Sequence, residues 1–144
     1  MEYLFERGFV PIITNLKIPV LGICLGMQLF TQFSEENNAV CLSIIPGRVR
    51  KFRSLQLKVP HIGWNYVSIT KPSPLTDGLL HGNYFYFVHS YYCDVPEAYV
   101  LGQTAYGIDF PSIIQCGNFY GVQFHTEKSG EIGLQLLRNF CELC

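Results

Sequence analysis

The stretch Ile18–Phe30, IPVLGICLGMQLF, constrains the fold more than any other part of this chain. Its first half, Ile18 to Ile23, is a short apolar run bounded by polar residues, the pattern of a strand buried on both faces. Behind it Leu25, Gln28, Leu29 and Phe33 recur at helical spacing until SEE, residues 34–36, closes the segment. A strand feeding directly into a helix is an α/β unit, and it predicts a sheet with helices packed on it.

Cys24 stands at that junction, with Gly22 and Gly26 two residues to either side. Free cysteine is often no more than a small buried hydrophobe. A tight strand-to-helix turn is strained, however, and small residues before and after it let strand and helix approach closely. Gly22 and Gly26 are read as meeting that need. A helix N-terminus, a nearby imidazole and partial exposure would each favour the thiolate of a cysteine placed there.

The rest of the chain extends the same organisation. Met1 to Gly8 suits an amphipathic helix ending at the glycine. Between Val40 and Thr70, short stretches rich in Val, Ile and aromatics are broken by IPG (Ile45 to Gly47) and HIGWN (His61 to Asn65), which predicts short strands and turns. GRVRKFR, Gly47 to Arg53, reads as a solvated strand face, and KPSPLTDGLLHGN, residues 71–83, as a surface connection. YFYFVHSYY, Tyr84 to Tyr92, is a strand by its aromatic and β-branched content. Further strands are expected at Ala98 to Gln103, Ser112 to Cys116 and up to Phe124, then a helix from about Gly130.

His125 closes an apolar strand, and Glu127 follows two residues later. A carboxylate so placed can bond one imidazole nitrogen and fix the tautomer that accepts a thiol proton at the other. In an open α/β sheet, sites form outside the carboxyl ends of the strands, so Cys24, HSYY and HTE can meet on one edge.

With 144 residues the chain fits a single domain, and a formal net charge of −1 leaves no basic surplus for nucleic acid. The N-terminus lacks the charged start and apolar block of a secretory signal, and no apolar run reaches the ~18 residues of a membrane span. A cytoplasmic protein with six reduced cysteines is expected. The CELC ending, Cys141 to Cys144, has no second ligand pair for a metal and closes a helix instead of opening one.

PVLGICLGMQLF, VPHIGWN, YFVHSYY and GVQFHTEKSGEIGLQLLRNF together resemble the signature stretches of the class I glutamine amidotransferases. More narrowly they resemble the glutaminase subunits of imidazole glycerol phosphate synthases, over essentially the whole chain. The resemblance implies a flavodoxin-like α/β fold, an open and mostly parallel sheet flanked by helices, and a single amidotransferase domain over residues 1–144. It implies Cys24 as nucleophile, His125 as base and Glu127 as its orienter, with no cofactor and no metal. The Leu25 N–H would supply one half of an oxyanion hole, and Gln28, Ser90 and Tyr91 would hold the substrate, glutamine. His61, Gly63, Trp64 and Asn65 would lie toward a partner, a (β/α)₈ cyclase subunit that receives the ammonia in a heterodimer. From the residues alone, Trp64 serves equally as a lid on the core. Similar glutaminase subunits serve sugar amidotransferases, which is the alternative partner, and a catalytically impaired remnant is the contrasting reading.

Two departures from the family pattern stand out. Thr126 occupies a position where proline is common. Relatives also begin with a strand and a glycine-rich loop ahead of the helix that MEYLFERGF resembles, so the sheet is expected to lack its N-terminal strands and one oxyanion donor.

Overall fold

The computed structural model describes residues 1–53, 57–79 and 83–143. Its larger sheet has six strands, in the order β1 (Val20–Ile23), β10 (Phe119–Val122), β9 (Asp109–Cys116), β8 (Val100–Ala105), β5 (His61–Ile69) and β6 (Asn83–His89). The smaller is ordered β3 (Ala39–Val40), β2 (Phe33–Ser34), β4 (Arg48–Lys51) and β7 (Tyr91–Asp94). Four α-helices are described: α1 (Glu2–Glu6), α2 (Phe9–Thr14), α3 (Leu25–Leu29) and α4 (Gly130–Glu142).

The α/β class expected from the sequence holds, and the sheets are mixed. Among the described residues parallel pairing is confined to β1 with β10 and β2 with β4, so the sheet is not the mostly parallel one expected. The reason is connection length. β9 and β10 are joined through Gly117 and Asn118 alone, Gly117 at φ 57°, and so short a link can only join antiparallel neighbours.

Two apolar clusters form the core. One gathers Phe85, Phe87, Phe110 and Phe124 with Leu136 of α4, and the stacked rings of Phe85 and Phe124 lie 3.9 Å apart. The other packs Met27 and Phe30 against Ile45, Val49, Ile114 and Phe119. α4 closes the first cluster through the apolar positions its helical spacing predicts, with Ile132 and Phe140 flanking Leu136.

Several local expectations change. The first helix ends ahead of Gly8 as expected, with that glycine left-handed at φ 69°, but a second helix, α2, follows at once. α3 stops at Leu29, and Phe33 belongs to β2, so its helical spacing from Leu29 is coincidence. HIGWN lies in the nine-residue strand β5 and not in a turn, because its backbone pairs with β6 from His61↔His89 to Val67↔Asn83. The YFYFVHSYY run divides at Ser90, with β6 in one sheet and β7 in the other. The connection after Lys71 is partly core, since Leu75 is fully buried, while residues 80–82 lie outside the described residues. So does Cys144, and with it the CELC spacing.

Candidate active site

The turn after β1 is built as the glycine spacing suggests, with one difference. Cys24 has φ 52° and ψ −104°, a conformation that costs a side-chain-bearing residue of order 1–3 kcal/mol. Its N–H donates to the Val122 carbonyl at 2.7 Å, which ties the turn to the neighbouring parallel strand. A Cβ on Gly22 would stand 2.6 Å from the backbone carbon of Gly26 and 2.7 Å from the Met27 nitrogen, so strand and helix close only because Gly22 has none. Gly26 does not share this constraint. A Cβ there meets nothing within 4 Å.

Around the sulfur, Gln123 donates from Nε2 at 3.6 Å and the Val88 carbonyl lies at 4.0 Å. Burial pushes the thiol up from its ordinary value, against the Leu25 N–H and the Gln123 amide, and the nearby charges of Glu127 and Glu36 add to the rise. The helix N-terminus does favour the thiolate, through the Leu25 N–H, but the net shift runs the other way. α3 is only five residues long, and burial outweighs what it offers.

His125 leaves the sheet just beyond β10, its N–H bonded to the Tyr86 carbonyl at 2.9 Å. Its Nδ1 donates to Glu127 Oε1 at 2.7 Å across a 3₁₀ turn, Thr126–Lys128. Ser129 fixes that turn, accepting from the Tyr86 N–H at 3.0 Å and donating to the His125 carbonyl at 2.6 Å. Burial raises the Glu127 carboxyl, but its own backbone N–H, His125 and Lys128 outweigh burial and hold it below the usual carboxylate range. The register Ile23↔Val122 of parallel β1 and β10 sends Cys24 and His125 off the same sheet edge.

Cys24 opens into a cleft of about 410 Å³. Leu25, Gln28, Ser90 and Tyr91, all singled out from the sequence, line it, together with Glu36, Pro60, Val88 and His89. Sequence reasoning missed Glu36. It follows the helical segment in what reads as a closing polar run, and only the fold brings its carboxylate to the cleft wall. Gln28 is almost fully buried, and its Nε2 is committed to the Tyr91 carbonyl at 3.0 Å and to Gln123 Oε1 at 3.1 Å. A second cleft of about 290 Å³, between Arg50, Phe52 and Tyr106, contains no nucleophilic cysteine.

The residues read as facing a partner divide. His61 is buried and points inward, its Nδ1 2.9 Å from His89 Nε2, so it offers no surface. Trp64 is 55% exposed. With Ile62, Tyr66 and Tyr84 it forms an apolar outer face on β5 and β6, where Trp64 meets Tyr86 and Tyr66 meets Tyr84, each pair of rings 6.0 Å apart and edge-on. Gly63 and Asn65 are half-buried and alternate with these residues along the strand, Asn65 turning to the other face, where its Nδ2 reaches His61 Nε2 at 3.2 Å. Among the described residues no helix is long and apolar enough to cross a membrane, and no three His, Cys, Asp or Glu side chains cluster as metal ligands would.

Comparison with known proteins agrees with this architecture. The family model for glutamine amidotransferase class I matches residues 7–144. Imidazole glycerol phosphate synthase subunit HisH of Archaeoglobus fulgidus is 48% identical over 133 residues, covering 92% of this chain and 68% of that one. The Haemophilus influenzae protein of the same name is 47% identical over 142 residues, covering 99% and 71%. Among solved structures, a Thermoplasma acidophilum protein described as part of a GMP synthase superposes with a TM-score of 0.71 at 22% identity, covering 99% of this chain and 66% of that one, a likeness of fold alone. With a match from residue 7 to residue 144 and relatives nearly half identical over most of its length, this chain belongs to the class I glutamine amidotransferases.

Proposed function

We propose that residues 1–144 act as one glutaminase domain that hydrolyses glutamine to glutamate and ammonia, as the glutaminase subunit of an imidazole glycerol phosphate synthase. The observation that carries this reading is Cys24 itself, held at φ 52° at the mouth of the cleft, in the turn that follows the strand paired in parallel with the one leading to His125 and Glu127.

Cys24 gives its proton to His125 Nε2 as its sulfur attacks the side-chain carbonyl carbon of glutamine. A resting thiol kept neutral by burial needs such a base at the moment of attack. Glu127 on Nδ1 leaves Nε2 as the basic nitrogen and steadies the imidazolium. The Leu25 N–H faces the developing oxyanion. As the carbon–nitrogen bond breaks, His125 returns the proton to the leaving ammonia. Water, deprotonated by the same nitrogen, then splits the thioester, releasing glutamate and restoring the thiol. Gln28, Ser90 and Tyr91 hold the substrate, and the Glu36 carboxylate offers its charge to the α-ammonium group.

The ammonia passes to a (β/α)₈ cyclase subunit docked on the face of Ile62, Trp64, Tyr66 and Tyr84. Contiguous exposed aromatics of this kind mark interaction surfaces, and Trp and Tyr are the usual anchors of such interfaces. A cytoplasmic setting suits the free thiols of Cys24, Cys41, Cys93, Cys116 and Cys141.

Labelling by a glutamine-like electrophile and ammonia release, measured with the cyclase partner present, test the reading. Both are expected to vanish in Cys24→Ala. Release that survives this substitution overturns the assignment.

A further inference from the structure

Gln123 is fully buried just past the end of β10. We propose that Gln123 is a catalytic residue of this site, its side-chain N–H donating to the Cys24 sulfur, with the amide held that way round by Gln28, the Tyr91 carbonyl and the His61–His89 pair. The proposal rests on Cys24 being the nucleophile.

The orientation follows from a chain of bonds whose polarity has one fixed point. The Tyr91 carbonyl oxygen can only accept. It lies 3.0 Å from Gln28 Nε2, so Gln28 must turn its NH₂ group toward it. The same NH₂ group lies 3.1 Å from the Gln123 amide, which must therefore present its oxygen there. That leaves the Gln123 NH₂ on the other side, 3.6 Å from Cys24 Sγ. A reversed Gln123 would set its NH₂ against the NH₂ of Gln28 and its oxygen against a developing thiolate.

The Tyr91 carbonyl is itself held from behind. His89 Nδ1 donates to it at 2.7 Å, which leaves His89 Nε2 to accept from His61 Nδ1 at 2.9 Å. His61 Nε2 then accepts from Asn65 Nδ2 at 3.2 Å, and that same nitrogen reaches the Ala105 carbonyl at 3.0 Å. Both rings must be neutral for this pattern. Burial, the largest influence on each, holds both to about 4, so they are neutral throughout the working range. His61 and His89 are thus positioning residues: His89 acts on the sulfur through the Tyr91 carbonyl, Gln28 and Gln123, and His61 acts through His89.

The consequence for the reaction is specific. The thiol proton moves to His125, negative charge collects on sulfur, and a donor already aimed at sulfur needs no reorientation to meet it. The Gln123 proton stays on its nitrogen throughout. Hydrogen bonds to charged groups are the stronger kind, and this one strengthens as the thiolate forms.

The test is the pH profile of Cys24 alkylation by iodoacetamide, followed on the Cys24 peptide by mass spectrometry. Gln123→Met keeps the volume and removes the donor. Its alkylation midpoint should move upward by about one pH unit, with a rate near neutrality about tenfold lower. His89→Leu should move the midpoint the same way by less. A folded Gln123→Met protein with the unaltered profile overturns the proposal.

Because Gln123 is buried, a measurement on the unaltered chain stands beside the variant. The Gln123 side-chain amide protons, followed by nitrogen-15 NMR, should shift with the same midpoint as Cys24 alkylation, and an amide that does not respond overturns the proposal as well. Neither readout requires turnover. Ammonia release that survives Cys24→Ala overturns the glutaminase reading, whereas an unaltered alkylation profile overturns the role of Gln123 alone.

Discussion

A Cβ placed on Gly22 would press to 2.6 Å from the backbone carbon of Gly26, while a Cβ placed on Gly26 would meet nothing within 4 Å. The two glycines that frame Cys24 are therefore not equivalent. Gly22→Ala should lower stability by about 1–3 kcal/mol, as overpacking does, and misplace the thiol. Gly26→Ala in α3 should be neutral or up to about 1 kcal/mol stabilising, since alanine is the better helix former. Urea unfolding of the two variants, with Cys24 labelling alongside, measures the contrast. Equal losses in both would contradict it.

The Glu127 side chain is half exposed and its contact with His125 is short, which separates chemistry from folding at this residue. Glu127→Gln should reduce ammonia release by about 10²–10⁴-fold while leaving the unfolding midpoint close to its original value. Parallel kinetics and thermal melts decide this, and a variant with full activity would remove Glu127 from the mechanism.

Thr126 is fully buried, and its hydroxyl has no hydrogen-bond partner among the described residues. An orphaned polar atom of this kind costs free energy that an apolar isostere does not. Thr126→Val should raise stability by about 1 kcal/mol, read as a higher thermal midpoint. A drop would mean that the hydroxyl is satisfied in solution.

Acid should weaken the fold through His61 and His89. Both rings titrate near pH 4 in the folded chain against about 6.5 for a free histidine, so between those values the unfolded chain binds more protons and gains. Stability is fully present above about pH 6.5 and is lost as pH falls toward 4, by on the order of a few kcal/mol across the window. Urea midpoints taken through this range measure the loss. A flat profile would contradict the neutral pair.

The surroundings of Cys24 were legible in the sequence because their signals are local: an apolar run, a glycine that must lack a Cβ, and a helix that starts at once. His125 and Glu127 were legible for the same reason, two residues apart on one turn. β5 was not. Its pattern is inverted relative to the usual alternation, with His61 turned into the core and Ile62, Trp64 and Tyr66 turned out, so glycine and asparagine suggested a turn where backbone pairing with β6 makes a strand. The mixed pairing of the sheet, the approach of Glu36 to the cleft and the bonds through Gln123 depend on contacts between distant segments, which periodicity does not encode.

The strand that carries Cys24 lies at the end of the sheet order and is held through one ladder, to β10. His125 and Glu127 ride on a turn anchored to an interior strand and to β6. The two halves of the site thus hang on different anchors, and an excursion of β1 that separated sulfur from imidazole would also lift Leu21 and Ile23 off the cluster that holds Phe85, Phe87, Phe110 and Phe124. In denaturant, reactivity of the thiol should therefore change together with the melting of that core, so the sulfur serves as a reporter of its integrity.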